Sequence, residues 1–348
     1  MQTVYDDFER FIKTHPIEKL YGFDIGGGTP TALSDESFVK LMDFYTYIIN
    51  RYEVVSDFAS SIESTFGSIS NFKLEALYKA GFRRISFDLQ HINRAFLDNN
   101  ERDSNLSKIT EIMNKVKSYG DLKSNIDLMY GFDNQSLEEI LNTVEAIEKL
   151  SQNQVTLYEM RYNMVGGESH LTKDFIAKQY DLFYKKLMEI GYHATYGMNT
   201  FTKDPKDRGL SSYLKYRMFH FVPYKGFGIS AQSASFKGVS YNKGKQGMSL
   251  DECLELDSYK YQDVYLLPKE ELLGKYIAIS LYSGSFNLKI MESIIGEDPL
   301  VYFKKFFDEL LEKQLIYIDE DIVHLTSEGF TYYGAIGALF YPERQQQY

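Results

Sequence analysis

Tyr21-Gly22-Phe23-Asp24-Ile25-Gly26-Gly27-Gly28-Thr29-Pro30-Thr31 joins a short apolar run to a helical pattern that starts near Ser34. Three residues without a Cβ let the backbone turn sharply and leave its N–H groups uncovered. Such donors can cradle a carboxylate or phosphate oxygen, and Pro30 fixes φ before the next helix. The same residues also suit a strand-to-helix turn that binds nothing. The stretch is neither G-x-G-x-x-G nor a Walker loop, because no Lys-Ser/Thr follows the glycines. Residues at the ends of the following strands decide between these uses.

Outward from the loop, strand and helix alternate. Val4, Phe8, Phe11 and Ile12 share one face of a helix over residues 2–14, and a strand over 18–25 leads into the glycines. Ser34 opens a helix to about Tyr52, a strand over 54–62 ends at Glu63, and Asn71 caps a helix closed by Gly81. A strand over 83–89 ends at Gln90, a helix runs to Tyr119, and a strand over 124–130 carries Asp127. Ser136 caps a helix over 137–150, a strand over 154–162 carries Tyr158, and a helix over 173–190 precedes a strand over 193–201. This alternation predicts βα units around a parallel sheet, an α/β fold of the barrel type. In such barrels the ligand site is built from the C-terminal strand ends. The glycine loop, Glu63, Gln90, Asp127 and Tyr158 all fall there, which favours one shared polar site.

Beyond residue 204 the texture changes. Residues 205–265 are irregular and hold a second glycine turn, Tyr224-Lys-Gly-Phe-Gly-Ile-Ser-Ala231. From about 266 onward three helices, a hairpin turned by Asp319-Glu-Asp321 and a closing helix predict a winged-helix-like α+β module. The helix over 299–313, in the place of a recognition helix, carries too little positive charge to read DNA. The boundaries fall at 1–204, a partial barrel; 205–265, a bridging segment; and 266–348, the C-terminal module.

Composition narrows the function. The net charge of −11 has no compensating basic block, so a nucleic-acid partner is not expected. No apolar run reaches the length of a membrane span, and the N-terminus lacks signal-peptide character, so the expected location is the cytoplasm. One cysteine, Cys253, allows neither an internal disulfide nor a C-x-x-C pair. Six histidines are scattered without metal-ligand spacing, so no metal site is expected. No nucleophile or acid–base set stands apart, and the catalytic residues stay unassigned.

Together these residues resemble the oxygen-independent coproporphyrinogen III oxidase-like (HemN/HemW-like) branch of the radical S-adenosylmethionine superfamily. The resemblance rests on Gly26-Gly-Gly-Thr-Pro-Thr31, Ser61-Ile-Glu-Ser64, Gly81-Phe-Arg-Arg-Ile-Ser-Phe-Asp-Leu-Gln90, Asp127-Leu-Met-Tyr-Gly131, Gln135-Ser-Leu-Glu-Glu139, Leu157-Tyr158 and Gly226-Phe-Gly-Ile-Ser-Ala231, in the family's order. It implies S-adenosylmethionine as cofactor. Gly27, Gly28 and Thr29 would hold its methionyl amino and carboxylate ends, Glu63 its ammonium and Arg102 its carboxylate. Gln90 and Asp127 would bind the ribose, and Tyr158 would join the same rim. The segment with Phe227 and Ile229 would close on the adenine.

The family also implies a [4Fe–4S] cluster held by three closely spaced cysteines after the first barrel strand. Neither that strand nor those cysteines is found here, so the fold expected is a partial (β/α) TIM-type barrel missing its first strand. Two functions stay open. One is a radical enzyme, represented by a truncated chain, acting by oxidative decarboxylation, hydrogen abstraction or methyl transfer on a porphyrin-like or other conjugated substrate, with an electron donor. The other is a degenerate member that binds S-adenosylmethionine or another ligand without radical catalysis. The heme-attachment pattern of the chaperone-like branch is replaced by Ser211-Ser-Tyr-Leu-Lys-Tyr-Arg217.

Overall fold

The structure, a computed structural model, describes residues 1–90, 106–162, 166–244, 251–252 and 263–342. It divides into two compact units. One holds Gly22–Arg51 and Ser56–Ser212; the other holds Met1–Tyr21, Tyr52–Val55 and Tyr213–Tyr348. Strands are numbered along the chain: β1 Lys19–Leu20, β2 Glu53–Val54, β3 Ser61–Ser64, β4 Arg84–Gln90, β5 Lys123–Tyr130, β6 Gln154–Glu159, β7 Thr200–Thr202, β8 Gln232–Ser235, β9 Gly238–Tyr241, β10 Asp263–Leu266, β11 Ser285–Asn287, β12 Ile316–Asp319 and β13 Ile322–Leu325. Among the described residues no helix is long and apolar enough to cross a membrane.

The first unit is an α/β layer built on the five-stranded sheet β3-β4-β5-β6-β7. β3 through β6 run parallel, joined by the helices Asn71–Ala80, Leu106–Ser118 and Leu137–Leu150. Ile62, Ile85, Phe87, Leu89, Ile126, Leu128, Val155 and Leu157 point one way and are buried under helix residues such as Leu74, Leu77, Ile109, Val116, Ile140 and Ile147. The opposite face carries polar residues at every second position: Arg84, Ser86 and Asp88 on β4, Lys123, Asn125 and Asp127 on β5. A parallel strand covered on both faces is ordinarily apolar throughout, so this alternation marks a face kept for something other than packing.

Helix ends follow local chemistry. Ser136 and Glu139 form a reciprocal capping box. Gly81, at φ 106, closes the helix that starts at Asn71, but its N-cap is Ser70, whose Oγ accepts from Lys73 N, and not Asn71 as expected. After the glycines, Pro30–Ala32 forms one 3₁₀ turn before the helix Asp35–Arg51.

Three expected strands are rebuilt. The strand expected over 18–25 breaks into β1 and an isolated parallel bridge from Ile25 to Ile62. That over 54–62 breaks into β2 and β3. Ser-Asp-Phe-Ala-Ser at 56–60 has no β-branched residue to hold an extended run. The strand expected over 193–201 is a hairpin: Gly197 sits at φ 92, Met198 N donates to Thr195 O at 3.0 Å, and His193 bridges Thr202 antiparallel. β7 consequently runs antiparallel to β6 and ends the parallel series.

The second unit contains the helix Gln2–Thr14, the parallel pair β1–β2, the helix Ser212–Phe219 and the antiparallel sheet β10-β9-β8. Its C-terminal part has helices Lys269–Leu281, Leu288–Ile295 and Lys304–Glu312 with the antiparallel sheet β11-β13-β12. Tyr276, Ile277, Phe286, Met291, Phe307 and Val323 form its buried interior.

Candidate ligand-binding site

The glycine loop lies against β3. Ile25 N donates to Ser61 O and Glu63 N donates to Ile25 O, each at 3.0 Å, so the residue entering the loop is zipped to the strand bearing Glu63. Gly27, at φ 84, donates its N–H to Glu63 Oε2 at 2.9 Å. A Cβ on Gly26 would lie 2.6 Å from Glu63 Cδ, so only glycine lets the backbone approach the carboxylate this closely. Gly28 has open space around it, and Thr29 caps the 3₁₀ turn with its backbone. Glu63 is exposed, and its Oε1 has no hydrogen bond among the described residues.

The register carries the polar face across the sheet. Glu63 stands opposite Ser86, Ser86 opposite Asn125, Asp88 opposite Asp127, and Asp127 opposite Thr156. Asp127 accepts from Ser86 Oγ and from Asn125 Nδ2, both at 2.8 Å, and Asn125 Oδ1 accepts from Thr156 Oγ1 at 3.0 Å. Burial raises the Asp127 carboxyl to about 6; the Ser86 and Asn125 hydrogen bonds oppose this, while the charges of Asp88 and Glu63 add to it.

Asp24, two residues before the glycines, accepts from Ser61 N at 3.0 Å and from the Ser211 hydroxyl. The residue keeps some accessible surface, but its carboxyl group is enclosed by protein. That enclosure raises it to about 7 against the hydrogen bonds from Ser211 and Ser61 and the charge of Arg84, with Glu63 pushing the same way as burial. Below this row Arg84 Nη1 lies 3.2 Å from Asp207 Oδ2, which Lys123 also binds. The two cations thus sit on Asp207, and the upper face is left acidic.

Of the residues expected at the site, the structure brings Gly27 and Glu63 into contact, with Gly28 and Thr29 next in the loop and Asp127 within electrostatic reach of Glu63. Gln90 ends β4 as expected, but the register shifts between Asp88 and Gln90, and Gln90 takes φ 62. A bulge there re-aims the side chain. Tyr158 stands opposite Met129 at the end of β6 and is exposed. Arg102 lies outside the described residues, as does Cys253. Phe227 and Ile229 belong to the second unit. There Phe227 packs edge-on against Phe8 and Phe11 at 5.7 and 5.8 Å. Asn242 Nδ2 donates to Gly226 O and Gly228 O at 3.2 and 2.8 Å, clamping the turn that carries Phe227.

Sequence reasoning missed Asp24, Ser86, Asn125 and Thr156. The period-two run Arg84-x-Ser86-x-Asp88 and its partner Lys123-x-Asn125-x-Asp127 hold the signal for the face. Asp24 stood inside an apolar run with nothing to mark it.

A profile of the radical SAM superfamily matches residues 3–147. The heme chaperone HemW of Bacillus subtilis is 26% identical over 315 residues, covering 88% of this chain and 81% of that protein. The oxygen-independent coproporphyrinogen III oxidase of Helicobacter pylori is 25% identical over 324 residues, 88% of this chain and 69% of that protein. The solved structure of coproporphyrinogen III oxidase (HemN) from Escherichia coli superposes with a TM-score of 0.75 at 18% identity over 97% of this chain and 82% of that one. Residues 3–147 thus match the radical S-adenosylmethionine superfamily, and the likeness to the solved structure shows the same fold over nearly the whole chain. Over most of its length the chain is similar to proteins of the HemN/HemW-like branch.

Proposed function

We propose that the glycine loop and the acidic strand ends bind S-adenosylmethionine. The observation that carries this reading is the Gly27–Glu63 contact, with the backbone at Gly26 too close for any side chain. It holds one carboxylate oxygen and leaves Oε1 for an ammonium group, in a setting where charge-assisted hydrogen bonds are strong. Backbone groups of Gly27, Gly28 and Thr29 take the amino acid end, with Arg102 as partner for its carboxylate. Asp127 and Gln90 take the ribose hydroxyls, and Tyr158 lines the rim. Glu63, Asp88 and Asp127 together favour a ligand that brings positive charge, as the ammonium and sulfonium do. When bound, S-adenosylmethionine supplies a sulfonium whose carbon–sulfur bonds can be broken. The residues here orient it.

The substrate is proposed to be a tetrapyrrole, after the names of the relatives. We further read the sheet β3–β7 as part of a (β/α) barrel spanning 1–204, followed by a bridging segment over 205–265. The helices and three-stranded sheet of 266–348 support a winged-helix-like reading. A cluster held by three thiolates does not fit these residues: the 348 residues contain one cysteine. Among the described residues no group of three or more His, Cys, Asp or Glu is disposed to hold a metal. No radical step is therefore assigned to this chain. The single cysteine favours, as a second reading, ligand binding without radical chemistry. Anaerobic reconstitution with iron and sulfide separates the two. Formation of 5′-deoxyadenosine supports the radical enzyme and its electron donor, whereas saturable binding without turnover supports the second reading.

A further inference from the structure

We propose that Lys73 is a positioning residue that fixes the glycine loop against Glu63. Its side chain is nearly buried, with 8% relative exposure. Its Nζ donates to Thr31 O at 2.7 Å and Leu33 O at 2.8 Å, the two carbonyls on either side of Ala32, and to Ser68 O at 3.5 Å. Asp35 Oδ1 is 3.6 Å away, and the Phe38 ring centroid 6.0 Å. A lysine in the first turn of the helix Asn71–Ala80 opposes the helix dipole, and burying an ammonium costs hydration. Neither term favours Lys73 for the helix itself. The carbonyls of the 30–33 segment compensate both, so this segment and the lysine hold each other.

The connection to Glu63 is short. Thr31, fully buried, hydrogen-bonds through Oγ1 to Ser64 Oγ at 2.9 Å and Ser68 Oγ at 2.6 Å, and Ser64 follows Glu63 on β3. The loop is therefore tied at its entry by Ile25 on β3 and at its exit by Thr31 and Lys73. Without the exit tie, Gly27 and Gly28 swing on the Ile25 hinge and the Gly27 N–H leaves Glu63. The consequence for ligand affinity rests on the S-adenosylmethionine reading; the positioning itself does not.

The test combines hydrogen exchange with chemical rescue. Lys73→Ala leaves a space the size of propylammonium. The variant is expected to exchange the amides of Gly27, Ala32 and Leu33 at least tenfold faster than wild type and to bind S-adenosylmethionine at least tenfold more weakly. Propylammonium is expected to restore both, and propanol, of the same size without charge, neither. Wild-type exchange in Lys73→Ala, or equal rescue by propanol, overturns the proposal. Should Lys73→Ala not fold, Lys73→Met decides by the same exchange comparison. If exchange responds to the amine while wild type binds no S-adenosylmethionine, the positioning stands and the cofactor reading fails.

Discussion

At position 26 any side chain collides with the Glu63 carboxylate, but that carboxylate is the free end of a flexible chain. Gly26→Ala is therefore expected to fold, with unfolding free energy within about 1 kcal/mol of wild type. Its affinity for S-adenosylmethionine should fall roughly tenfold to a hundredfold, about 1.4–2.7 kcal/mol by calorimetry. Wild-type affinity in Gly26→Ala would detach Glu63 from the ligand. The two raised carboxyls make a separate prediction. Asp24 titrates at about 7 and Asp127 at about 6, while in the unfolded chain both fall near the ordinary aspartate value. Between those values the folded state holds more protons, so stability falls by several kcal/mol as pH rises from about 4 to about 7. Asp24→Asn keeps an acceptor for Ser61 N and removes the upper part of that slope. Urea midpoints at about pH 5 and pH 8 measure it, and an unchanged slope in the variant would contradict the assignment. Glu63 and the glycines were legible from sequence because an acid at a strand end beside glycines is itself a pattern. Asp24 and Lys73 were not, since their roles come from partners distant along the chain, Ser211 for one and the 30–33 carbonyls for the other.

Among the elements, caps and periodicity carried the most information. Ser136→Ala removes half of a capping box and should cost about 1 kcal/mol in chemical denaturation. Gly81→Ala forces a Cβ onto φ 106 and should also destabilise by about 1 kcal/mol, although only the Ile49 side chain lies within contact distance. A neutral result for Gly81→Ala would mean that the helix end relaxes out of its left-handed closure. The helices over 2–14, 137–150 and 173–190 were readable because amphipathic spacing and caps are local. The short strands were not. β1, β2 and β7 have two or three residues each, and their pairing depends on partners far along the chain. The turn residues Tyr196-Gly197 could have revealed the hairpin that makes β7 antiparallel. The bulge before Gln90 had no such mark.

For the whole molecule, the family resemblance was legible because its motifs stand in order along the chain, and the match over residues 3–147 agrees with that reading. The most direct test of the account is titration calorimetry of S-adenosylmethionine into the iron-free protein, wild type beside Glu63→Gln. Saturable one-to-one binding by wild type, weakened at least tenfold in Glu63→Gln, is the predicted result. No binding by wild type, or equal affinity in the two proteins, would contradict it.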